Sequence, residues 1–208
     1  GKRYFGAKII PARGVWVEIE TEADGAMYVR IDRKRKFPVT SLLRVFGMIS
    51  DEEILKFFED TPAHDCIKTT LEKDVAKTQD EAYVEIHKRL RDGDLATPEN
   101  AREFIQVIFS EERYDLSTVG RFKFNKGFSL GLDKKSMENK TVSLTDLQHV
   151  VSYIAELNAT PSSTPDDIDH LGSRRVRFVG EMMMQKMRVG MSQMKRNIQD
   201  RMSTIDAT

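Results

Sequence analysis

The sequence predicts an α+β fold: an antiparallel β meander, then a helical bundle-like region, then one long α-helix at the end of the chain. Apolar and polar side chains alternate through much of residues 4–33, at the two-residue period of strands. Beyond residue 40, apolar residues recur every three or four positions behind helix-capping residues. The chain has 208 residues, 32% of them charged, and it lacks the ~18-residue apolar run of a membrane helix. We therefore expect a folded, soluble chain with one domain, or one and part of a second.

The predicted meander has three strands, at residues 4–10, 14–20 and 27–33. Between the second and third strands, Asp24 and Gly25 form a dipeptide that is typical of tight hairpin turns. Short turns of this kind join antiparallel neighbours, so the strands are predicted to pair in sequence order.

Capping residues predict where five helical segments begin. Ser50, Thr78 and Ser143 each have an acidic residue three positions later, which is the spacing of a capping box. Thr97 is followed by a proline, which is favoured in the first turn of a helix. Thr40 is the predicted cap of a short turn. Together these segments form the predicted helical region.

A polar, proline-containing connector at residues 158–167 is a candidate domain boundary. Beyond it, one long helix is predicted from about residue 172 to residue 203. Its apolar stripe consists of Val176, Val179, Met183, Met187, Met191, Met194, Ile198 and Met202. We favour packing of this stripe against another part of a longer protein. An adaptable methionine-rich binding surface and a helix lying on a membrane are the alternatives.

Sequence signatures of an autonomous enzyme are absent. The sequence has no glycine-rich phosphate loop, no nucleophile elbow and no zinc-protease motif. Its four histidines are scattered, and its one cysteine, Cys66, has no second cysteine for an internal disulfide. His64 and Cys66 are a weak candidate for a thiol nucleophile. We therefore expect no catalytic residues and no metal site, and a reducing, cytosolic setting.

The charges are unevenly distributed, although the formal net charge is zero. Residues 1–46 are net positive and residues 47–103 net negative, which is compatible with contact between one end of the chain and a polyanion. A run of cations spans residues 30–36 and contains one acid, Asp32. An acid there suggests either pairing with an arginine or a hydrogen bond to the edge of a base. Trp16, the only tryptophan, is predicted to be at least half exposed and to stack on a base; burial in the core beneath the hairpin is the alternative.

A second charged cluster lies at residues 166–177, where three aspartates precede Gly172 and three arginines follow it. The arginines are predicted to start the long helix, where they would oppose the helix dipole. This placement suggests ion pairs with the preceding aspartates, or a partner. A carboxylate and a guanidinium together suit guanine, which offers donors on one edge and acceptors on another.

Residues 29–40, 113–121 and 167–177, taken together and in this order, resemble the beta subunit of bacterial DNA-directed RNA polymerase. The resemblance covers essentially the whole chain. It implies that residues 1–165 are the lobe domain, which flanks downstream DNA. Residues 166–208 would be a connector and a long helix that belong to the neighbouring protrusion.

The resemblance also implies DNA contacts for six residues. The position of Trp16 would stack on a non-template base, with two further residues near the same strand and three in a pocket for an unstacked non-template guanine. The implied DNA-binding residues are Trp16, Asp32, Arg33, Ile168, Asp169 and Arg174. The family's pocket also uses residues outside this sequence.

The function implied by the resemblance is that of a non-catalytic part of a nucleotidyltransferase. This part would contact downstream and non-template DNA while the whole enzyme makes RNA from ribonucleoside triphosphates. It would hold no cofactor, since another subunit binds the Mg²⁺. The implied partners are DNA, the alpha, beta-prime and omega subunits, sigma and elongation factors, without a membrane, in the cytoplasm at the nucleoid. The alternative is a protein-docking module for transcription factors with no appreciable DNA contact.

Overall fold

The computed structural model describes residues 4–205 and confirms the predicted α+β class. Within these residues, four strands are followed by eight helices. The chain divides into two compact units, the first ending at Ser163 and the second beginning at Thr164.

The four strands form one antiparallel sheet in sequence order. They are β1 (Gly6–Ile9), β2 (Val17–Thr21), β3 (Met27–Ile31) and β4 (Phe37–Pro38). The predicted three-strand meander is therefore correct but incomplete. The fourth strand was missed because it has only two residues and ends in a proline, which lacks the backbone donor of a regular strand.

Seven helices complete the first unit. They are α1 (Val39–Val45), α2 (Asp51–Phe57), α3 (His64–Lys73), α4 (Gln79–Leu90), α5 (Pro98–Ile108), α6 (Ser117–Gly127) and α7 (Leu144–Ala159). The three predicted capping boxes are present at Ser50, Thr78 and Ser143. Thr97 also accepts a hydrogen bond from a first-turn backbone N–H, as predicted.

Three helical features differ from the predictions. Thr40 lies inside α1 rather than capping it, and its hydroxyl donates to the buried carboxylate of Asp74 at 2.5 Å. Helices α3 and α6 were not predicted. Their N-cap positions, Ala63 and Leu116, make no side-chain cap hydrogen bond. The N-cap residues therefore do not indicate the start of either helix.

The apolar core joins the sheet to the helices around it. Side chains at alternate positions of β2 and β3 are buried, as expected for a sheet with one face against a core. The core includes Val17, Ile19, Val29, Phe37, Leu42, Ile54, Ile67, Ile86, Ile105, Leu147 and Ile154. A buried ion pair adds to this packing, since the Arg121 guanidinium donates to both oxygens of Asp146 at 2.8 and 2.9 Å.

The second unit contains one long helix, α8 (Val179–Thr204), whose described residues are not buried. Its end agrees with the prediction, but its start is seven residues later than expected. The three arginines of residues 174–177 therefore precede the helix, and the argument that they oppose its dipole is wrong. None of the described helices is both long enough and apolar enough to cross a membrane.

Candidate nucleic-acid interface

Trp16 is held by Asp32 through two hydrogen bonds. The backbone N–H of Trp16 donates to Oδ1 of Asp32 at 2.8 Å. The backbone N–H of Asp32 donates in return to the carbonyl oxygen of Trp16 at 2.9 Å. Both backbone polar groups of Trp16 are therefore fixed immediately before β2, just beyond the pairing of Val17 with Ile31. The Asp32 carboxylate thus positions Trp16, a role that the charge pattern did not suggest.

The turn that carries Asp32 has a rare backbone conformation. Asp32 and Arg33 have φ angles of 48° and 59°, in the left-handed region. The N–H of Lys34 donates to the carbonyl of Ile31 at 3.0 Å and closes the turn. Left-handed residues other than glycine cost of order 1–3 kcal/mol each and are enriched at functional sites. The two hydrogen bonds to Trp16 help to offset that cost.

The guanidinium of Arg33 lies over the indole ring of Trp16, with its central carbon 5.2 Å from the ring centroid. This distance is within the range of cation–π contacts. Trp16 is half-buried, so it is less exposed than predicted, yet it is not sealed in the core. The strand alternation does not extend to Trp16, because β2 begins one residue later. The result is a partly exposed aromatic ring with a cation on it.

Most other cations of the basic run at residues 30–36 already have carboxylate partners. Arg30 pairs with a glutamate on β2 at 3.1 Å, and Arg35 pairs with Asp92 at 3.6 Å. Lys36 also pairs with a glutamate. Among residues 4–205, Arg33 and Lys34 have no carboxylate within ion-pair distance, and both are exposed. Arg33, which lies on the Trp16 ring, and the next residue, Lys34, therefore remain available for an anionic ligand.

The second cluster lies in the second unit, in a turn before α8. Arg174 Nη1 lies 3.5 Å from Asp169 Oδ1, so the predicted pairing between an arginine and a preceding aspartate is present. Both side chains are mostly exposed, and Ile168 is 73% exposed. The Asp167 carboxylate accepts from the backbone N–H groups of Asp169 and His170 and so shapes the turn. Asp169, Arg174 and Ile168 therefore present a carboxylate, a guanidinium and an apolar side chain to solvent in this turn.

The structure thus brings Trp16, Asp32 and Arg33 together in the first unit, and Asp169 and Arg174 together in the second. We call these sets the tryptophan site and the aspartate–arginine turn. The two sets belong to different compact units, and each is considered separately. Sequence reasoning missed a second support, in the segment 113–121: the backbone of Asp115 pairs with that of Arg13, three residues before Trp16. The resemblance singled out that segment without assigning it a role.

Other candidate chemistries receive no support in the described part of the chain. Residues 4–205 contain no group of three histidine, cysteine or acidic side chains that could hold a metal ion. Burial raises the pKa of the Cys66 thiol, and the charge of Asp65 adds to this effect. A raised pKa lowers the thiolate fraction at neutral pH, so Cys66 is a poor nucleophile. The partly exposed Trp16 ring with Arg33 over it is the arrangement that best fits a ligand.

Comparison with known proteins places these features in a family. The family model described as "RNA polymerase Rpb2, domain 2" matches residues 2–177. The "DNA-directed RNA polymerase subunit beta" of Syntrophomonas wolfei is 41% identical over 207 residues, and that of Bifidobacterium adolescentis is 37% identical over 220 residues. Each match covers 99% of this chain but 18% of the relative, so the chain spans about a fifth of their length. The resemblance to the bacterial beta subunit is confirmed, and the chain belongs to the RNA polymerase Rpb2 domain 2 family.

Proposed function

We propose that this chain is a part of an RNA polymerase beta subunit that contacts downstream and non-template DNA during transcription. The observation that carries the proposal is the tryptophan site, where a partly exposed indole lies under an exposed arginine. Aromatic side chains bind single-stranded nucleic acid by stacking on bases, and neighbouring cations neutralise the phosphates. Family membership supports the same assignment.

At the tryptophan site, each residue has a separate task. The Trp16 ring supplies the surface on which an unpaired base stacks. Arg33, which now lies over the ring, binds a phosphate or stacks on the arriving base. Asp32 holds the Trp16 backbone in place through Oδ1, and its exposed side chain lies near the same DNA strand. The site therefore favours stacking and phosphate contact, which are tolerant of base sequence.

The aspartate–arginine turn has the chemistry for a more selective contact. A carboxylate such as Asp169 accepts hydrogen bonds from the ring N–H and amino group of guanine. Arg174 donates to the acceptor edge of the same base, and Ile168 offers an apolar contact. A guanine bound in this way would exchange the exposed ion pair at 3.5 Å for hydrogen bonds to the base. We propose this turn as one part of a guanine pocket that other parts of the subunit complete.

The wider assignments follow from the family. We propose that residues 1–165 form the lobe and that residues 166–208 lead into the protrusion, where the apolar stripe of α8 packs on the rest of the subunit. The whole enzyme would join ribonucleotides in the bacterial cytoplasm, at the nucleoid. Its partners would be DNA, the alpha, beta-prime and omega subunits, sigma and elongation factors. From the family resemblance, we propose that the Mg²⁺ of the whole enzyme is held by another subunit.

A protein-docking module is the second candidate function. It is favoured by the exposed apolar stripe of α8, where Met183 is 61% and Met187 66% exposed. Exposed methionines suit adaptable contacts with other proteins. In that case, contact with DNA would be negligible.

Binding of a labelled single-stranded oligonucleotide to this chain separates the two functions. We expect Trp16→Ala to weaken binding by about 1–3 kcal/mol, because one base loses its stacking surface. Affinity should also fall as salt rises, since cations contact phosphates. Tyr153→Ala is the matched control, because it removes a partly exposed ring from α7 instead. Equal affinities for the unmodified chain and Trp16→Ala would favour the docking function.

A further inference from the structure

The segment that leads into Trp16 is tied to a distant loop of the helical region. The backbone N–H of Arg13 donates to the carbonyl of Asp115 at 3.1 Å, and the N–H of Asp115 donates back to the carbonyl of Arg13 at 2.8 Å. Nη2 of Arg13 also donates to the carbonyl of Glu111 at 3.1 Å. These contacts fix the chain three residues before Trp16. Asp32, in contrast, follows Trp16 in the sequence and bonds to its backbone directly.

Gly14 makes this close approach possible. Its φ angle is +122°, in a region that side-chain-bearing residues rarely adopt. A Cβ at this position would lie 2.8 Å from Cδ2 of Tyr114 and 3.1 Å from the carbonyl oxygen of Arg113. The first distance is shorter than real Cβ contacts, and the second is tight enough to require a small shift. Any larger residue at position 14 must therefore push the strand segment away from the loop.

The loop on the other side of this contact has little freedom to move. Tyr114 is fully buried in the core, and its N–H donates to the carbonyl of Ser110 at 2.7 Å. The N–H of Leu116 donates to the carbonyl of Lys140 at 2.8 Å. Asp115 accepts from the N–H of Ser117 at 2.7 Å, at the start of α6. The strand segment, rather than the loop, is therefore expected to yield when Gly14 is enlarged.

We propose that Gly14 is a positioning residue for Trp16, and that residues 110–117 form the fixed half of a clamp that holds the indole in place. Asp32 holds Trp16 directly, and the clamp holds the chain that precedes it. The clamp bears on DNA only if Trp16 is the stacking surface proposed above, so this inference rests on the proposed function. It gives the segment 113–121 a task, since that segment supplies both the backbone partner and the buried ring.

The fluorescence of Trp16 tests the clamp without DNA, because this chain has no other tryptophan. Gly14→Ala should shift the emission maximum to longer wavelength and increase quenching by acrylamide. Arg13→Ala, which removes the side-chain contact to Glu111 and leaves Gly14 intact, should shift both in the same direction by less. Gly120→Ala is the matched control, because a Cβ there meets Leu116 at an ordinary 3.5 Å. Thermal unfolding followed by circular dichroism identifies any variant that fails to fold.

Two measurements, Trp16 fluorescence and single-strand affinity, distinguish failure of the clamp from failure of the proposed DNA function. If Gly14→Ala folds, it should lose at least about fivefold in single-strand affinity, while Gly120→Ala should lose none. Unchanged Trp16 emission and quenching in folded Gly14→Ala would overturn the clamp, whatever the DNA result. If Gly14→Ala does not fold, Arg13→Ala decides, and unchanged emission there overturns the clamp. A loss of DNA binding in Gly14→Ala without any effect of Trp16→Ala would contradict the proposed function instead.

Discussion

Trp16 and Asp32 exchange two hydrogen bonds, one from each backbone N–H, and this pairing joins the start of β2 to the turn after β3. These hydrogen bonds give a structural reason for the presence of an acidic residue, Asp32, within the basic run of residues 30–36. Its carboxylate satisfies a backbone donor that lies just beyond the last strand pair, and its left-handed conformation brings Arg33 over the indole. Asp32 thus fixes the backbone of Trp16, and the residue that follows it, Arg33, supplies the cation on the ring.

Removing the Asp32 carboxylate should loosen the tryptophan site. Asp32→Ala deletes the acceptor for the Trp16 N–H and puts alanine in a left-handed conformation that it disfavours. We expect a loss of about 1–2 kcal/mol in the free energy of unfolding, measured in urea, together with a red shift of Trp16 emission. Asp32→Asn is the control, because asparagine keeps an oxygen acceptor and tolerates this conformation. Equal effects of the two substitutions would rule out the hydrogen bond as the cause.

Arg174→Ala should reduce base selectivity in the assembled polymerase. Arg174 would address the acceptor edge of guanine, so its removal should lower the preference for guanine at one non-template position by about 1–3 kcal/mol. The measurement compares the lifetimes of promoter complexes that differ only in that base. Arg175→Ala is the control, since Arg175 pairs with Glu181 in α8 instead. An equal loss for all four bases would indicate phosphate contact rather than base recognition.

The buried pair of Arg121 and Asp146 should matter far more to stability than any exposed pair. Asp146→Ala leaves a buried guanidinium without its carboxylate and also removes an acceptor from the capping box of α7. We expect a loss of about 3–5 kcal/mol in chemical denaturation. The control, Asp92→Ala, breaks an exposed pair with Arg35 and should cost about 0–1 kcal/mol. Similar losses for the two variants would contradict this ranking.

Acid should weaken the start of α4 through Glu81. Hydrogen bonds from the backbone N–H of Lys77, and then that of Thr78, hold the pKa of the Glu81 carboxyl below its usual 4.5. A lowered pKa in the folded state stabilises the fold above pH 4.5, and that contribution is lost as the pH falls through the lowered value. Glu81→Gln should therefore flatten the pH dependence of stability below pH 4.5. If the melting temperatures of the two proteins fall identically below pH 4.5, Glu81 is not responsible for the loss of stability in acid.

The predictable parts of the fold are those with a local signal. The alternation in β2 and β3 and the capping boxes at Ser50, Thr78 and Ser143 depend on residues within a few positions of one another. Helices α3 and α6 were missed because their N-cap residues, Ala63 and Leu116, are not capping residues. The late start of α8 was missed because the apolar period continues back to Val176, although the helix does not.

The candidate site was likewise predictable only where it has a local sequence signal. Composition and spacing identified Trp16 and the basic run around Asp32, since an aromatic ring among cations is a local pattern. The task of Asp32 depends on strand pairing, and that of Gly14 depends on contact with Tyr114, which is far away in sequence. Neither contact can be predicted from the residues next to Asp32 or Gly14 in the sequence. Sequence reasoning therefore singled out Trp16, Asp32 and Arg33, but it missed that Asp32 holds the Trp16 backbone and that Gly14 lies against Tyr114.

Quenching of Trp16 fluorescence by single-stranded DNA tests the central claim most directly, because the indole itself reports the contact. We expect a short single-stranded oligonucleotide to quench the emission of this chain in a saturable manner, with weaker binding at higher salt. An abasic oligonucleotide of the same length, which keeps the phosphates but offers no base, should bind more weakly and leave the emission nearly unchanged. No quenching, or equal quenching by both oligonucleotides, would contradict stacking on Trp16.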